Sequence, residues 1–194
     1  LVNEMDITRR KKTEDALENA NEKLRVLART DSLTGLLNHG AVLERLREEL
    51  KRGSREKKPV ALIIADLDHF KRINDAYGHT AGDDILAATA RCLRSACREY
   101  DVVGRYGGEE FAVVLPGTTL EKAVFVAERI RKKVEQIRHE PDGKELAVTL
   151  SLGVAAAPSE QRVMDSEILV KQADQALYEA KNKGRNRVAL KRET

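Results

Sequence analysis

The stretch "PVALIIADLDHF" carries an unbroken apolar run from Val60 to Ala65 that ends at Asp66 and Asp68. A strand with no polar alternation has no face to offer water, so it belongs inside a sheet covered on both sides. The rest of the chain supplies the covers. Ahead of the strand lies "AVLERLREELKRG", with Val42, Leu43, Leu46 and Leu50 on one side of a helix and Gly53 as its expected stop. Behind it lie "AGDDILAATARCLRSACRE", opened by acidic residues suited to a helix N-terminus, then "LEKAVFVAERIRKKVEQI" and "SEILVKQADQALYEAKNKG". Between these helices, "DVVGRYGGEEFAVVLPG" reads as two short strands joined at Gly107-Gly108, a dipeptide of the hairpin-turn type. "LAVTLSLGVAAAP" and "RVALK" read as further strands. The expected fold class is α/β (α+β), a mixed central sheet flanked by helices.

With 194 residues the chain has room for one well-buried domain and an appendage. Residues 8–30, "TRRKKTEDALENANEKLRVLART", are charged, free of Gly and Pro, and rich in helix formers. Thr13, Leu17, Ala20, Leu24 and Leu27 follow three- and four-residue steps, as the seam of a coiled coil does. A parallel dimer stalk and a solvated helix resting on its own domain both fit so short a seam. The reading divides the chain into an N-terminal helix, 1–30, and a domain, 31–194, that begins at "RTDSLTGLLNHG".

Composition narrows the partners. Lys and Arg number 35 against 32 Asp and Glu, a net charge of +3 with the signs interspersed, and aromatics make up 4% with no Trp. Neither a basic nucleic-acid surface nor stacking platforms for single strands are expected. Cys92 and Cys97 fall in one helix on different faces, which fits a reducing cytoplasm. No apolar run approaches the roughly 20 residues that span a bilayer, and the N-terminus lacks a signal-peptide pattern. The chain opens on Leu1, not Met, so a fragment is expected, with membrane attachment only through upstream regions.

Chemistry gathers at the carboxylates. Period-two geometry puts Asp66 and Asp68 on one face, and the hairpin turn delivers Glu109 and Glu110. Were the two segments neighbours in the sheet, three or four like charges would converge and repel. A divalent cation resolves that conflict, and oxygen-only ligands select Mg²⁺ or Mn²⁺ over zinc. Mg²⁺ held by one or two carboxylates completes its shell with substrate phosphates, which points to a nucleoside triphosphate. Gly107 and Gly108, lacking side chains, would let a ligand lie against the backbone. Lys71, Lys181 and Arg185 are basic residues that could meet phosphates, though each alone also reads as a solvated charge.

Together these segments resemble the GGDEF family of diguanylate cyclases, whose members condense two GTP into cyclic di-GMP. The resemblance covers about residues 30–191. "GGEEF", Gly107 to Phe111, is similar to the signature in its Glu variant, and "DSLTGLLN", Asp31 to Asn38, to the motif that opens the domain. "DLDHFKRINDAYGHTAGD", Asp66 to Asp83, is similar to the metal and guanine segment. His39 stands where an arginine is usual, and His69 where an aromatic is usual. The resemblance implies a palm-like fold preceded by an extended helix. It implies two Mg²⁺ ions held by Asp66, the carbonyl of Leu67 and Glu109, with Glu110 assisting the metals or the attacking hydroxyl. It further implies guanine read by Asn74 and Asp83, phosphates met by Lys71, Lys181 and Arg185, and a homodimer with one GTP per domain.

"REYD", Arg98 to Asp101, matches the family's RxxD product-inhibition site, with Arg129 and Arg52 as further arginines for cyclic di-GMP. The opening "VNEMDITRRKKTEDALE" resembles the end of a PAS sensor running into a signalling helix. Three competing readings are a module that only dimerises, an enzyme that also accepts ATP, and a receptor that binds cyclic di-GMP without making it. The intact carboxylates Asp66, Glu109 and Glu110 weigh against the receptor.

Overall fold

Five strands form one sheet in the order β2-β3-β1-β4-β5, with β1 (Val60–Leu67) at its centre. The computed structural model describes residues 29–138, 146–159 and 164–191, so the coiled-coil seam, the PAS-like opening and most of the N-terminal helix lie outside the described residues. β1 runs antiparallel to β3 (Glu110–Pro116) on one side and to β4 (Leu150–Ala157) on the other. β2 (Val102–Arg105) closes the hairpin with β3, and β5 (Val188–Leu190) adds parallel to β4, so the sheet is mixed.

Every residue of β1 is buried, as its composition demands. Alternate residues feed two separate cores. Ala61, Ile63, Ala65 and Leu67 pack under α2 (Phe70–Ala96) and α3 (Leu120–Glu135). Val60, Leu62 and Ile64 pack under α1 (His39–Glu56) and α4 (Ser166–Asn182). The central strand thus belongs to both layers.

Two helices depart from the sequence expectation. α1 runs through Gly53 and stops at Lys57, whose φ of 53° is left-handed. Gly53 serves contact instead: a Cβ there would sit 2.7 Å from the Lys58 carbonyl oxygen and 2.8 Å from Val60. α2 starts at Phe70, earlier than the acidic "AGDD" opening, and breaks at Gly78, where φ is 81°. The break turns its first two turns back toward the rest of the helix. Cys92 and Cys97 are free thiols, and Cys97 caps the end of α2. Among the described residues no helix is long and apolar enough to cross a membrane.

The "DSLTGLLN" segment forms a wide turn against the sheet edge. Leu37 bridges Gly104 of β2, and its carbonyl accepts from the Arg105 amide at 2.7 Å. Asp31 holds the turn by accepting from the amide and the hydroxyl of Thr34 at 2.9 and 2.7 Å.

Candidate active site

The last residue pair of the β1–β3 ladder is Asp66 opposite Glu110. Directly opposed residues of antiparallel strands project from one face, here the face of α1 and α4. Lys181, from the last turn of α4, reaches the pair with its Nζ 2.8 Å from Asp66 Oδ2. Burial pushes the Asp66 carboxyl above its usual range, with Glu109 and Asp68 adding to the rise and Lys181 opposing it. Burial also raises Glu110, reinforced by Asp66 and resisted by Lys181. One ammonium therefore serves two crowded carboxylates.

Asp68 lies on that side as well but is turned toward β4. Its Oδ1 accepts from Ser151 Oγ at 2.6 Å, and its Oδ2 from Thr149 Oγ1 at 2.8 Å and the Asn186 amide at 3.0 Å. Only 5% of Asp68 is exposed, so it is a fastened carboxylate outside the cluster. Among the described residues no three acidic, His or Cys side chains gather closely enough to hold a metal unaided. The donor set, all oxygen and two carboxylates at a time, fits an ion that takes its remaining ligands from substrate phosphate.

Glu109, just before β3, acts electrostatically on both Asp66 and Glu110. It also borders a cleft of about 440 Å³ together with Lys71, Asn74 and Asp83, and with Phe70, His79, Leu86, Arg105 and Gly108. Asn74 Oδ1 is buried there without a partner. Gly82 makes room for it, because a Cβ at that position would fall 1.9 Å from Asn74 Oδ1. An unsatisfied buried acceptor is costly unless a ligand completes it. A wider cavity of about 570 Å³ opens at the opposite end of the sheet, beside Pro59, Leu120 and Pro158, remote from every carboxylate of the cluster.

The glycine pair behaves differently from a hairpin dipeptide with left-handed residues. Left-handed glycines in the described chain are Gly35, Gly78, Gly117 and Gly184, and neither Gly107 nor Gly108 is among them. Space explains Gly107, where a Cβ would fall 2.8 Å from Glu110 Oε2, whereas a Cβ at Gly108 would meet no protein atom within 4 Å, so that side of the turn is open. The turn is closed by the Tyr106 and Gly107 amides, which donate to the Glu110 carbonyl at 2.8 and 3.2 Å. The Leu67 amide donates to the Glu109 carbonyl at 3.2 Å, tying the turn to β1 through backbone alone.

Arg105, which the sequence reading passed over, clamps this turn. Its Nε and Nη2 donate to the Gly108 carbonyl at 3.1 and 2.8 Å, and its Nη1 reaches Asp31 at 3.0 Å. Burial works to raise the Asp31 carboxyl, but the Thr34 hydrogen bonds and the Arg105 guanidinium outweigh it and hold it below the usual range. An arginine beside a glycine turn and an aspartate 74 positions away gave no local sign of pairing. His39 packs edge-on against Tyr106, with ring centroids 4.7 Å apart, which accounts for an aromatic ring at that position. His69 takes the left-handed corner between β1 and α2, with φ 59°.

Arg98, Asp101 and Arg129 line a second cleft, of about 240 Å³, with Lys122 and the exposed Phe125. The Asp101 carboxylate accepts from the Arg98 amide at 2.8 Å, while the Arg98 guanidinium donates to Tyr100 Oη at 2.7 Å. Asp101 Oδ1 is buried without a partner. Arg52 stands in a neighbouring cleft, paired with Glu49 and Glu56 at 3.1 and 3.8 Å. Lys71 and Asp83 are exposed, as is Arg185 on the loop after α4.

A mixed sheet that delivers paired carboxylates to one end, beside a glycine turn and a cleft with an unfilled acceptor, defines an α/β domain with an acidic, phosphate-compatible site. Residues 28–187 match the family model of the GGDEF diguanylate cyclase domain. The chain belongs to the GGDEF family. It is 42% identical over 169 residues to diguanylate cyclase DgcP of Pseudomonas aeruginosa, a match covering 87% of this chain and 25% of that protein. It is likewise 42% identical over 187 residues to the response regulator PleD of Caulobacter vibrioides, covering 94% and 40%. The crystal structure of the coiled coil and GGDEF domain of DgcB from Caulobacter crescentus, in complex with c-di-GMP, superposes with a TM-score of 0.88 at 28% identity. That alignment covers 96% of this chain and 98% of that one. The chain spans between a quarter and a half of the length of the curated relatives it matches.

Proposed function

We propose that this chain is a diguanylate cyclase that condenses two GTP into cyclic di-GMP and two pyrophosphates. The observation that carries the reading is the register pair Asp66 and Glu110 at the sheet end, with Glu109 on the adjoining cleft beside Asn74 and Asp83. Asp83 accepts from the N1 and exocyclic amino hydrogens that guanine has and adenine lacks, and Asn74 Oδ1 is a further acceptor for that edge. Lys71 and Arg185 meet phosphate oxygens, and Lys181 divides its charge between Asp66 and the same phosphates.

Asp66, the Leu67 carbonyl and Glu109 would hold two Mg²⁺ ions, or Mn²⁺, which when bound neutralise phosphate charge and acidify the attacking hydroxyl. The 3′-hydroxyl of one GTP attacks the α-phosphorus of the other in line. The bond from that phosphorus to the bridging oxygen breaks, and pyrophosphate leaves. Glu110 assists removal of the hydroxyl proton. The same step in the opposite sense closes the ring. Each domain holds one GTP, so the reacting groups meet only when two domains face each other, brought together through the N-terminal helix in the cytoplasm.

The test is incubation of the chain at high concentration with Mg²⁺ and GTP, ATP or both, with products identified by mass. Cyclic di-GMP from GTP alone is the expected result. A mixed or adenine-only product would overturn the role of Asp83, and no product in any arm, alongside tight binding of added cyclic di-GMP, would make the chain a receptor.

Product inhibition is assigned to Arg98, Asp101 and Arg129, where the unpartnered Asp101 Oδ1 awaits a donor and the two guanidinium groups suit phosphate and guanine. Arg52, tied into α1 by Glu49 and Glu56, would have to leave those partners to join them. Arg98→Ala should weaken cyclic di-GMP binding by about 10- to 100-fold, the worth of one charge-assisted hydrogen bond, and leave initial synthesis rates unchanged. Calorimetry with unaltered affinity for the product would remove the assignment.

A further inference from the structure

The loop between α4 and β5 holds Arg185 in a backbone conformation that arginine disfavours. Gly184, Arg185 and Asn186 have φ of 109°, 63° and 44° in succession. Left-handed backbone is natural for glycine and tolerated by asparagine, but an arginine such as Arg185 adopts it only where its surroundings hold it. The surroundings here are specific. The Asn186 amide donates to Asp68 Oδ2 at 3.0 Å. Its side-chain Oδ1 accepts from Arg131 Nη1 at 2.8 Å, and its Nδ2 donates to Glu135 Oε1 at 2.7 Å. Arg131 is fixed in turn by Glu128 and Glu135 at 2.9 and 3.2 Å.

Asp68 is the buried member of this set. Its two oxygens accept three donors, from Thr149, Ser151 and Asn186, and so join the end of β1 to β4 and to the loop. Two residues earlier, Asp66 binds Lys181 at the base of the same loop. The end of β1 therefore grips one basic segment at two points, through Asp66 at Lys181 and through Asp68 just past Arg185.

We infer that Asp68 is a positioning residue for the triphosphate: by accepting from the Asn186 amide it holds the strained loop, and with it Arg185, where substrate phosphates are met. This rests on the cyclase reading for the identity of the substrate, and on the geometry alone for the anchor. What Asp68 must supply is an acceptor oxygen, whereas a metal ligand would have to supply charge.

Asp68→Asn and Asp68→Ala separate these roles. Asparagine keeps one acceptor for the Asn186 amide and loses the charge; alanine loses both. The readouts are equilibrium binding of a non-hydrolysable GTP analogue with Mg²⁺ and hydrogen exchange at the Asn186 amide. Asp68→Ala should bind the analogue about tenfold more weakly or worse, the scale on which an outer partner supports a site. Its Asn186 amide should exchange freely, and Asp68→Asn should recover most of both. Asparagine as damaging as alanine, or alanine binding as tightly as the parent, would overturn the inference. Should the parent chain bind no GTP, the cyclase reading falls, and the exchange of the Asn186 amide still decides the anchor: protection lost in Asp68→Ala and regained in Asp68→Asn upholds it, and equal exchange in all three sinks it.

Discussion

Glu109→Ala should fold as the parent does and make cyclic di-GMP about 1000-fold more slowly, since several kcal/mol of charge stabilisation convert at about 1.36 kcal/mol per factor of ten. The separation of fold from activity follows from how the turn is built. What ties residue 109 to β1 is its carbonyl, which accepts from the Leu67 amide at 3.2 Å, and alanine keeps that carbonyl. Gly108 is held by Arg105 through a carbonyl as well. The carboxylate itself faces the cleft with Lys71, Asn74 and Asp83 and has no part in closing the hairpin. The measurement is a product time course at matched concentration, with thermal unfolding at the parent's Tm as the check that the domain is intact. A loss of less than about tenfold would move Glu109 out of the reacting centre, because a ligand to a metal that neutralises phosphate charge cannot be worth so little.

Gly153→Ala should destabilise the domain by about 3 kcal/mol or more, the upper range for overpacking a filled core, and lower Tm by about 6–12 °C in a chain of this size. Gly153 lies in β4 beneath α4, and a Cβ there would fall 2.1 Å from the Ala173 carbonyl oxygen and 2.2 Å from the Leu177 amide nitrogen. Both atoms are backbone, so no side chain can rotate aside. Relief requires α4 to lift from the sheet, and α4 carries Lys181, so the surviving folded protein should also lose the 2.8 Å contact with Asp66. Gly108→Ala is the counter-case, with no atom within 4 Å and a Tm expected to match the parent. Thermal unfolding of the two variants side by side decides the point. Equal stability of Gly153→Ala and the parent would mean that the helix can rise from the sheet at little cost.

The sequence disclosed elements better than it disclosed their junctions. The apolar run of β1 had to be central, and it is, because burial on both faces is written in composition. That Asp66 meets Glu110 depended on β1 and β3 being neighbours, a pairing across more than forty residues with no local signature. Glycine proved the most ambiguous letter. Gly53 looked like a helix stop and is a contact site, while of the Gly107-Gly108 hairpin pair neither is left-handed, Gly107 makes room for the Glu110 carboxylate and Gly108 borders open space. One missing Cβ serves conformation or space, and only neighbours decide which. Asp68 was grouped with the cluster by its period-two spacing. The strand ends at Leu67, and the hydroxyls of Thr149 and of Ser151 in β4 take the carboxylate instead. Arg105 was invisible because its partners, Asp31 and the Gly108 carbonyl, are a distant carboxylate and a backbone atom.

Because Asp66 and Glu110 are register partners, related sequences face two unequal kinds of change. Exchanging one apolar residue for another along β1 or β3 alters packing but leaves both acids on the same side. Inserting or deleting a single residue within either strand carries one acid through to the opposite surface, since side chains alternate. Lineages of this domain should therefore drift freely in the identity of these strand residues while keeping their number fixed, and length variation should collect in the connections beyond the sheet.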